Sequence, residues 1–437
     1  MRYWGKKIKK RQGLYSRGYV SMFGDISIVR QRYYLESGQN YHALDDHLSL
    51  PTTQMSYKLQ SLIGKRSTEE NYRSSVDMLN ELLGLGLEAP EVKRVIEQLS
   101  PLASSYYEDY PVAATAPEEG SHLCFGNDGK GVPIIKSERE ESTTDVGRLM
   151  KGQKRGVKKQ ATVSVSFSFN PYVRTSEDIL QSLFRDKVLN PLKEVPKDGN
   201  SEGIASKNES AEDNRMSIGV HRRAFMGEQK KAIHYAIDQL MARPGAAQKD
   251  IIALVDCGTG LEKGILKAIE DKGLETELKA IIADIVHVSE YIWKGANAVL
   301  GEKSNLRTAW VRRILKDILE GKVEQVAKDL QVIKDKDDLK GSAGEQLAVT
   351  IKYLENHKHK MAYDVYLQKG YPISTGIIES TCGHLVKDRM EDSGMRWTVS
   401  GAQQMLDLRA VNKNGDWKTF IGYVQSKNKL NKLRVAA

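Results

Sequence analysis

"IIALVDCGTGLEKG" (residues 251–264) is an unbroken apolar run that ends on Asp256 and then breaks into glycines. A strand buried on both faces of a parallel sheet reads as such a run, and reactive groups in open α/β sheets sit just past strand C-terminal ends. The stretch therefore predicts an α/β fold with a functional loop after residue 255. Two chemistries compete for that loop. Glycines permit close approach to a pyrophosphate, and Asp284, at the end of the next apolar run, is placed to bind a ribose. However, Gly258, Gly260 and Gly264 give GxGxxxG rather than GxGxxG, no GK[ST] follows, and Asp256 would face the phosphates. A nucleotide-dependent enzyme using this loop stays as an alternative, and the carboxylate is the stronger candidate for the working group.

Working outward, "LKAIIAD" reads as a second buried strand ending at Asp284, and a helix around 225–242 precedes the first. "SHLCFGNDGKGVPII" puts Cys124, Gly126 and Asp128 on one side of a strand and Leu123 and Phe125 on the other, with Asp128 at the strand end facing a glycine turn. "ATVSVSFSF" alternates strictly and is the clearest strand, and "TSEDILQSLF" offers a Thr175 or Ser176 cap for an amphipathic helix. The polar stretch 193–215 is too poor in apolar residues to order itself and reads as a mobile insertion. From His287 to Lys369 every segment reads as helix, and beyond it Ser374 or Thr375 can cap a helix carrying Glu379.

The N-terminal part differs in character. Residues 17–35 read as two strands around a Gly24-Asp25 turn, with Arg30 and Arg32 on one face of the second. From Glu69 to Ser100 two short helices with a glycine-containing break resemble a helix-turn-helix, although an ordinary helical hairpin fits as well. The expected divisions are 1–110 for this region, 120–285 for the first part of the core, 286–369 for a helical insertion and 370–437 for completion of the core.

The net charge is +9, and the first acid, Asp25, follows seven Lys or Arg, so polyanions are the expected partners. Three widely spaced cysteines, Cys124, Cys257 and Cys382, fit reduced thiols in the cytoplasm better than a disulfide framework. No apolar h-region follows the basic N-terminus and no 18 apolar residues run together, so neither export nor membrane insertion is expected.

Asp128, Asp256 and Glu379 are separated by 128 and 123 residues and can meet only through tertiary folding. Phosphodiester chemistry uses hard oxygen ligands for two Mg²⁺ ions about 3.5–4 Å apart, and two aspartates with a glutamate suffice. Asp284, with His287 three residues on, is a second choice for the middle carboxylate or for a metal-binding pair; a helix-capping acid and a packed histidine are the plainer reading. The cysteines near the three acids read as core packing, as does Trp397.

"LCFGNDGKG", "ATVSVSFSFNPYVRTSEDILQSLF", "LVDCGTG", "ADIVHVSEYIWKGA", "YPISTGIIESTCGHLVKDRM" and "SGMRWTVSGAQQMLDLRA" occur in an order that resembles bacterial insertion-sequence transposases of the Kra-type family. The resemblance spans most of 120–425 and is most specific at "GIIES...HLVKDRM...GMRW". It implies an RNase H-like mixed sheet interrupted by a helical insertion, with a DDE triad on Asp128, Asp256 and Glu379. It further implies two Mg²⁺ ions, with Mn²⁺ as a substitute, and cleavage and strand transfer at the ends of an insertion sequence in the bacterial nucleoid. Double-stranded DNA, both transposon ends and target, is the expected partner, with at least a dimer in the DNA complex. Arg2, Lys6, Lys7, Lys9, Lys10, Arg11, Lys154, Arg155, Lys158, Lys159, Lys387 and Arg389 are the expected phosphate contacts. Paired N-terminal cysteines resembling a zinc ribbon, common in the family, are missing from "VRQRYYLESGQNYHALDDHL". A catalytically silent DNA-binding descendant is the alternative from another class.

Overall fold

The computed structural model describes residues 2–3, 6–109, 119–138, 158–185, 217–258, 260–336, 339 and 341–434. The expected insertion at 193–215 and the basic residues Lys154 and Arg155 lie outside them. The chain is mixed α/β, with two sheets.

The first sheet runs β1 (Arg2–Tyr3), β2 (Lys6–Ser21), β3 (Gly24–Leu35) and β4 (Asn40–Tyr41), all antiparallel. The β2–β3 hairpin starts well before the expected residue 17, and its turn is Met22-Phe23, with Ser21 opposite Gly24. Arg17 and Arg30 both reach Asp45, which fastens the ribbon to the short Ala43–His47 helix. Three longer helices follow: Tyr57–Glu69, Tyr72–Leu83 and Ala89–Asp109. Gly84 ends the second in the left-handed conformation that favours glycine, the expected break. Val76, Leu79, Val92, Ile96 and Leu99 are buried in the same apolar cluster as the second sheet, so the N-terminal helices are built onto the main core.

The second sheet comprises β5 (His122–Pro133), β6 (Lys158–Phe169), β7 (Ser217–Met226), β8 (Ile251–Val255) and β9 (Leu278–Ala283), in the order β7-β6-β5-β8-β9. β6 is antiparallel to both its neighbours, whereas β5, β8 and β9 run parallel. Parallel strands need crossovers, here the Gln229–Met241 helix before β8 and the Leu261–Glu270 helix before β9. Leu123 and Phe125 pack under these two helices with Ile233, Ile237 and Ile265, while Cys124 faces the larger cluster on the opposite side, as the strand period of two requires.

Two expectations need correction. β5 runs on to Pro133, so Asp128 stands inside a strand rather than at its end. β7 was not visible in the sequence because its inward positions are polar: His221 and Arg223 are buried, and no apolar alternation results. They are satisfied tertiarily, Arg223 by Asp407 at 3.0 Å and His221 by the Tyr235 hydroxyl at 2.7 Å. Burial and three neighbouring arginines hold His221 down to about 3, so it stays neutral.

Between β9 and Glu379 the chain is helical as expected, in Ile285–Leu300, Arg307–Leu319, Val323–Lys336, Gly341–His357 and Tyr363–Gln368. The first and fourth of these meet through stacked Tyr291 and Tyr353 rings, 3.8 Å apart and nearly parallel. The chain then returns as the Gly376–Thr381 helix, which widens into a π-turn at Cys382–Lys387, and closes with the Val399–Lys413 and Trp417–Arg434 helices. Among the described residues no helix is long and apolar enough to cross a membrane.

Candidate active site

The site is set by strand register. Gly126 of β5 lies beside Leu254 of the parallel strand β8, so Asp128, two residues further along β5, comes close to Asp256, the residue that follows the end of β8. Both line a cavity of about 370 Å³ at this edge, with Asn127, Gln160, Thr162 and Gln229.

Asp128 is held at both oxygens: Oδ1 accepts from the Gly129 amide at 2.5 Å, and Oδ2 accepts from the Cys382 thiol at 3.3 Å. Burial pushes its carboxyl above the usual range, the Asp256 charge adds to this, and the two hydrogen bonds and the His287 charge oppose it. Asp256 is half-buried, and its Oδ1 accepts from the Gly258 amide at 2.8 Å. That bond turns a loop amide onto the strand's own carboxylate, which is the reverse of a phosphate cradle. Cys257 between them adopts φ +61°, a left-handed conformation rare outside glycine and of the kind that concentrates at functional sites.

Glu379 arrives from the other side of the gap in sequence. A Cβ on Gly126 would lie 2.0 Å from Ile378 Cδ1, so only glycine lets the Gly376–Thr381 helix seat this closely on β5. Cys382, one turn on, touches Asp128, and Glu379 is near enough for its charge to raise the Cys382 thiol further. The Glu379 side chain itself is exposed. Among the described residues no three His, Cys, Asp or Glu side chains are gathered tightly enough to hold a metal ion. The structure thus brings Asp128 and Asp256 together and puts Glu379 on the adjoining helix without closing the triad.

Asp284 is spent elsewhere. It is buried and caps the Ile285–Leu300 helix through the Val286 amide at 3.0 Å, and it also accepts from the Thr375 amide at 3.2 Å and the Thr375 hydroxyl at 2.6 Å. Thr375 accordingly precedes the Glu379 helix without capping it, while Ser374 Oγ accepts from the Gly376 amide. His287 is half-buried, its Nδ1 3.9 Å from Glu290, and its charge is felt by both Asp128 and Asp284. It stands on the rim of the site rather than paired with Asp284.

The thiols are kept neutral by burial, which pushes Cys257 up to about 11 and Cys382 higher still.

The expected phosphate contacts divide. Lys7, Lys9, Lys10 and Arg11 are exposed on β2, where Lys7 lies 3.9 Å from Glu36 and Arg11 donates to Gln31; Arg2 and Lys6 belong to the same ribbon. Lys158 and Lys159 are exposed at the start of β6, Lys158 paired with Glu391 at 2.6 Å, and Lys387 is exposed on the π-turn. Arg389 must be corrected. It is buried, donates to the Ser67 carbonyl at 2.9 Å and lies over the Trp397 ring, so it ties the N-terminal helices to the core and touches no solvent-borne phosphate. Trp397 donates to the Met390 carbonyl and packs against the core.

Asn127, Gln160, Thr162 and Gln229 escaped the sequence reading. They converge only through the β5–β6 register and the start of a crossover helix, neither of which leaves a local pattern. Compared with known proteins, the chain matches no family model and no curated sequence.

Proposed function

We propose that the chain is a DDE transposase that cuts and joins DNA on an RNase H-like core. The observation carrying this reading is the closeness of Asp128 on β5 to Asp256, which directly follows the adjacent parallel strand β8, with the Glu379 helix seated across Gly126. The order β7-β6-β5-β8-β9, with only the second strand reversed, supports the RNase H-like assignment, and the helices between β9 and Glu379 match an insertion before the third acid.

The donor set suits a hard divalent cation. Two carboxylates stand near one another, one is destabilised in its charged form by burial and by the other, and a cation relieves that penalty. Asp128 and Asp256 would hold Mg²⁺, with Glu379 completing the set. When bound, the ions supply Lewis-acid activation of the attacking oxygen and stabilisation of the leaving one. The chain's own contribution is orientation: Gly129 and Cys382 fix the Asp128 carboxylate, and Gly258 fixes one oxygen of Asp256. Hydrolysis at an element end releases a 3′-hydroxyl, which then attacks target DNA at the same centre. The β2 lysines and Lys387 would hold phosphates, giving an affinity that falls steeply with salt, and paired ends require at least two copies.

Metal-dependent nicking of a labelled oligonucleotide carrying the element's own terminus tests substrate, cofactor and chemistry together. Cleavage by the wild type and none by Asp256→Ala is expected; retention of DNA without cleavage by either would favour the silent binding protein.

A further inference from the structure

The helical segment between β9 and Glu379 grips the loop that carries Asp256. Lys360, on the Lys358–Lys360 turn that ends the Gly341–His357 helix, is only 2% exposed, and its Nζ donates to Glu262 Oε2 at 2.5 Å. His359 Nε2 lies 2.8 Å from the other oxygen, Oε1, so both oxygens of Glu262 are taken. Burial alone would raise the Glu262 carboxyl, but these two partners hold it below its usual range. Glu262 is the second residue of the Leu261–Glu270 helix, which starts at Gly260 with no side-chain cap, so the clamp stands where this helix leaves the loop. At the loop's other end Cys257 meets the Tyr353 phenol, itself stacked on Tyr291. Tyr353, His359 and Lys360 thus bracket a stretch of chain beyond the last pair of the β8 ladder, Val255 with Ala283. Apolar residues of similar volume often stabilise a fold as well as a buried ion pair does, so stability alone does not account for Lys360. What the pair adds is direction, since a carboxylate held at both oxygens pins the first turn of its helix.

We infer that Lys360 is a positioning residue for Asp256: acting through Glu262, it fixes the Cys257–Gly258 turn and with it the carboxylate oxygen bonded to the Gly258 amide. The helices inserted between β9 and Glu379 thereby set the geometry of an acid that lies on the sheet. For its consequence, metal affinity, the inference rests on the proposed cation-binding role of Asp256, whereas the placement rests on the contacts themselves. Groups that orient a metal-binding side chain from outside the ligand set change affinity by about 10–100-fold.

The test uses the full chain without DNA and follows two signals: Mn²⁺ binding by electron paramagnetic resonance, and hydrogen exchange at the Gly258 amide, the group bonded to Asp256 Oδ1. Lys360→Met, which keeps an apolar stem and removes the charge, should weaken Mn²⁺ binding roughly tenfold and speed exchange at Gly258. Glu262→Gln removes the same ion pair at a partly exposed position that does not threaten folding, and should do likewise. Leu330→Ala opens a cavity within the helical insertion without removing any of these contacts; it should lower the melting temperature and leave both signals unchanged. Unchanged Gly258 exchange in both Lys360→Met and Glu262→Gln overturns the inference, as does an equal effect from Leu330→Ala, which would mark a general loosening. Mn²⁺ binding that Asp256→Ala abolishes, with Gly258 exchange indifferent to Lys360, refutes the positioning role alone. Absence of Mn²⁺ binding at Asp256 in wild type counts against the transposase, and faster Gly258 exchange in Lys360→Met then still supports the placement.

Discussion

β8 and β9 lie side by side, run the same way and each end on an aspartate, yet the two acids have opposite fates. Asp256 is half-buried, lines an open cavity and accepts from the Gly258 amide of its own loop, whereas Asp284 is buried under three donors from two segments. Local sequence does not distinguish them, since both follow apolar runs and precede helices. The difference comes from what returns over each strand end: Thr375 clamps Asp284, whereas Asp256 stays half-buried and is held, among the described residues, by the Gly258 amide. A carboxylate at a strand end becomes available for chemistry only where the rest of the chain leaves it unclaimed.

Substituting each in turn is the sharpest way to break this contrast. Asp256→Ala should reduce strand cleavage by about a thousandfold or more while leaving the melting temperature nearly unchanged, since it removes a ligand and no packing; parallel nicking and thermal-melt measurements decide. The same split should appear among the bases. Arg389→Ala, which removes a buried guanidinium and leaves the Ser67 carbonyl without its donor, should cost about 3–5 kcal/mol in denaturant unfolding. Lys387→Ala should leave stability alone.

Asp284→Ala should cost about 2–4 kcal/mol by stranding the Val286 and Thr375 donors, with cleavage per folded molecule retained. Its pH dependence has a definite sign. Burial raises Asp284 to about 6 in the folded chain, above the ordinary carboxylate, so the folded state favours the protonated acid. The associated stabilisation, about 3 kcal/mol at most, is complete below about pH 4 and is lost as pH rises through 6. The stability gap between wild type and Asp284→Ala should therefore narrow over that window; a gap that widens there would contradict the assignment. Gly126→Ala should destabilise by about 1–3 kcal/mol through the clash with Ile378, and should lower cleavage by displacing Glu379. The smallest effect is expected for Lys387→Ala, a loss of about one unit in the slope of DNA affinity against salt.

Much of the second sheet was legible because its strands bury apolar side chains. The runs at β8 and β9, the alternation of β6 and the split of Leu123 and Phe125 from Cys124 and Gly126 all follow from period two and burial. What escaped was whatever depends on partners distant in sequence. β7 hid because its buried Arg223 is satisfied by Asp407, 184 residues on, and its buried His221 by Tyr235 of the helix that follows. Arg389 looked like a phosphate ligand because a solvent-facing arginine and one capped by a carbonyl of another helix are spelled alike. Asp128 was assigned correctly to its face but misplaced at a strand end, since Gly129 and Gly131 after it stay in the strand and make room for the Gln160 and Lys158 side chains rather than forming a turn.

The seating of Ile378 on Gly126 also has a consequence in time. Ribosomal synthesis delivers the strand bearing Asp128 long before the helix bearing Glu379, and the intervening segments can fold while the groove over Gly126 is still vacant. A nascent chain would therefore hold the strand bearing Asp128 well before the helix bearing Glu379 exists to seat on it, and the two are brought together only after the intervening helices have been made.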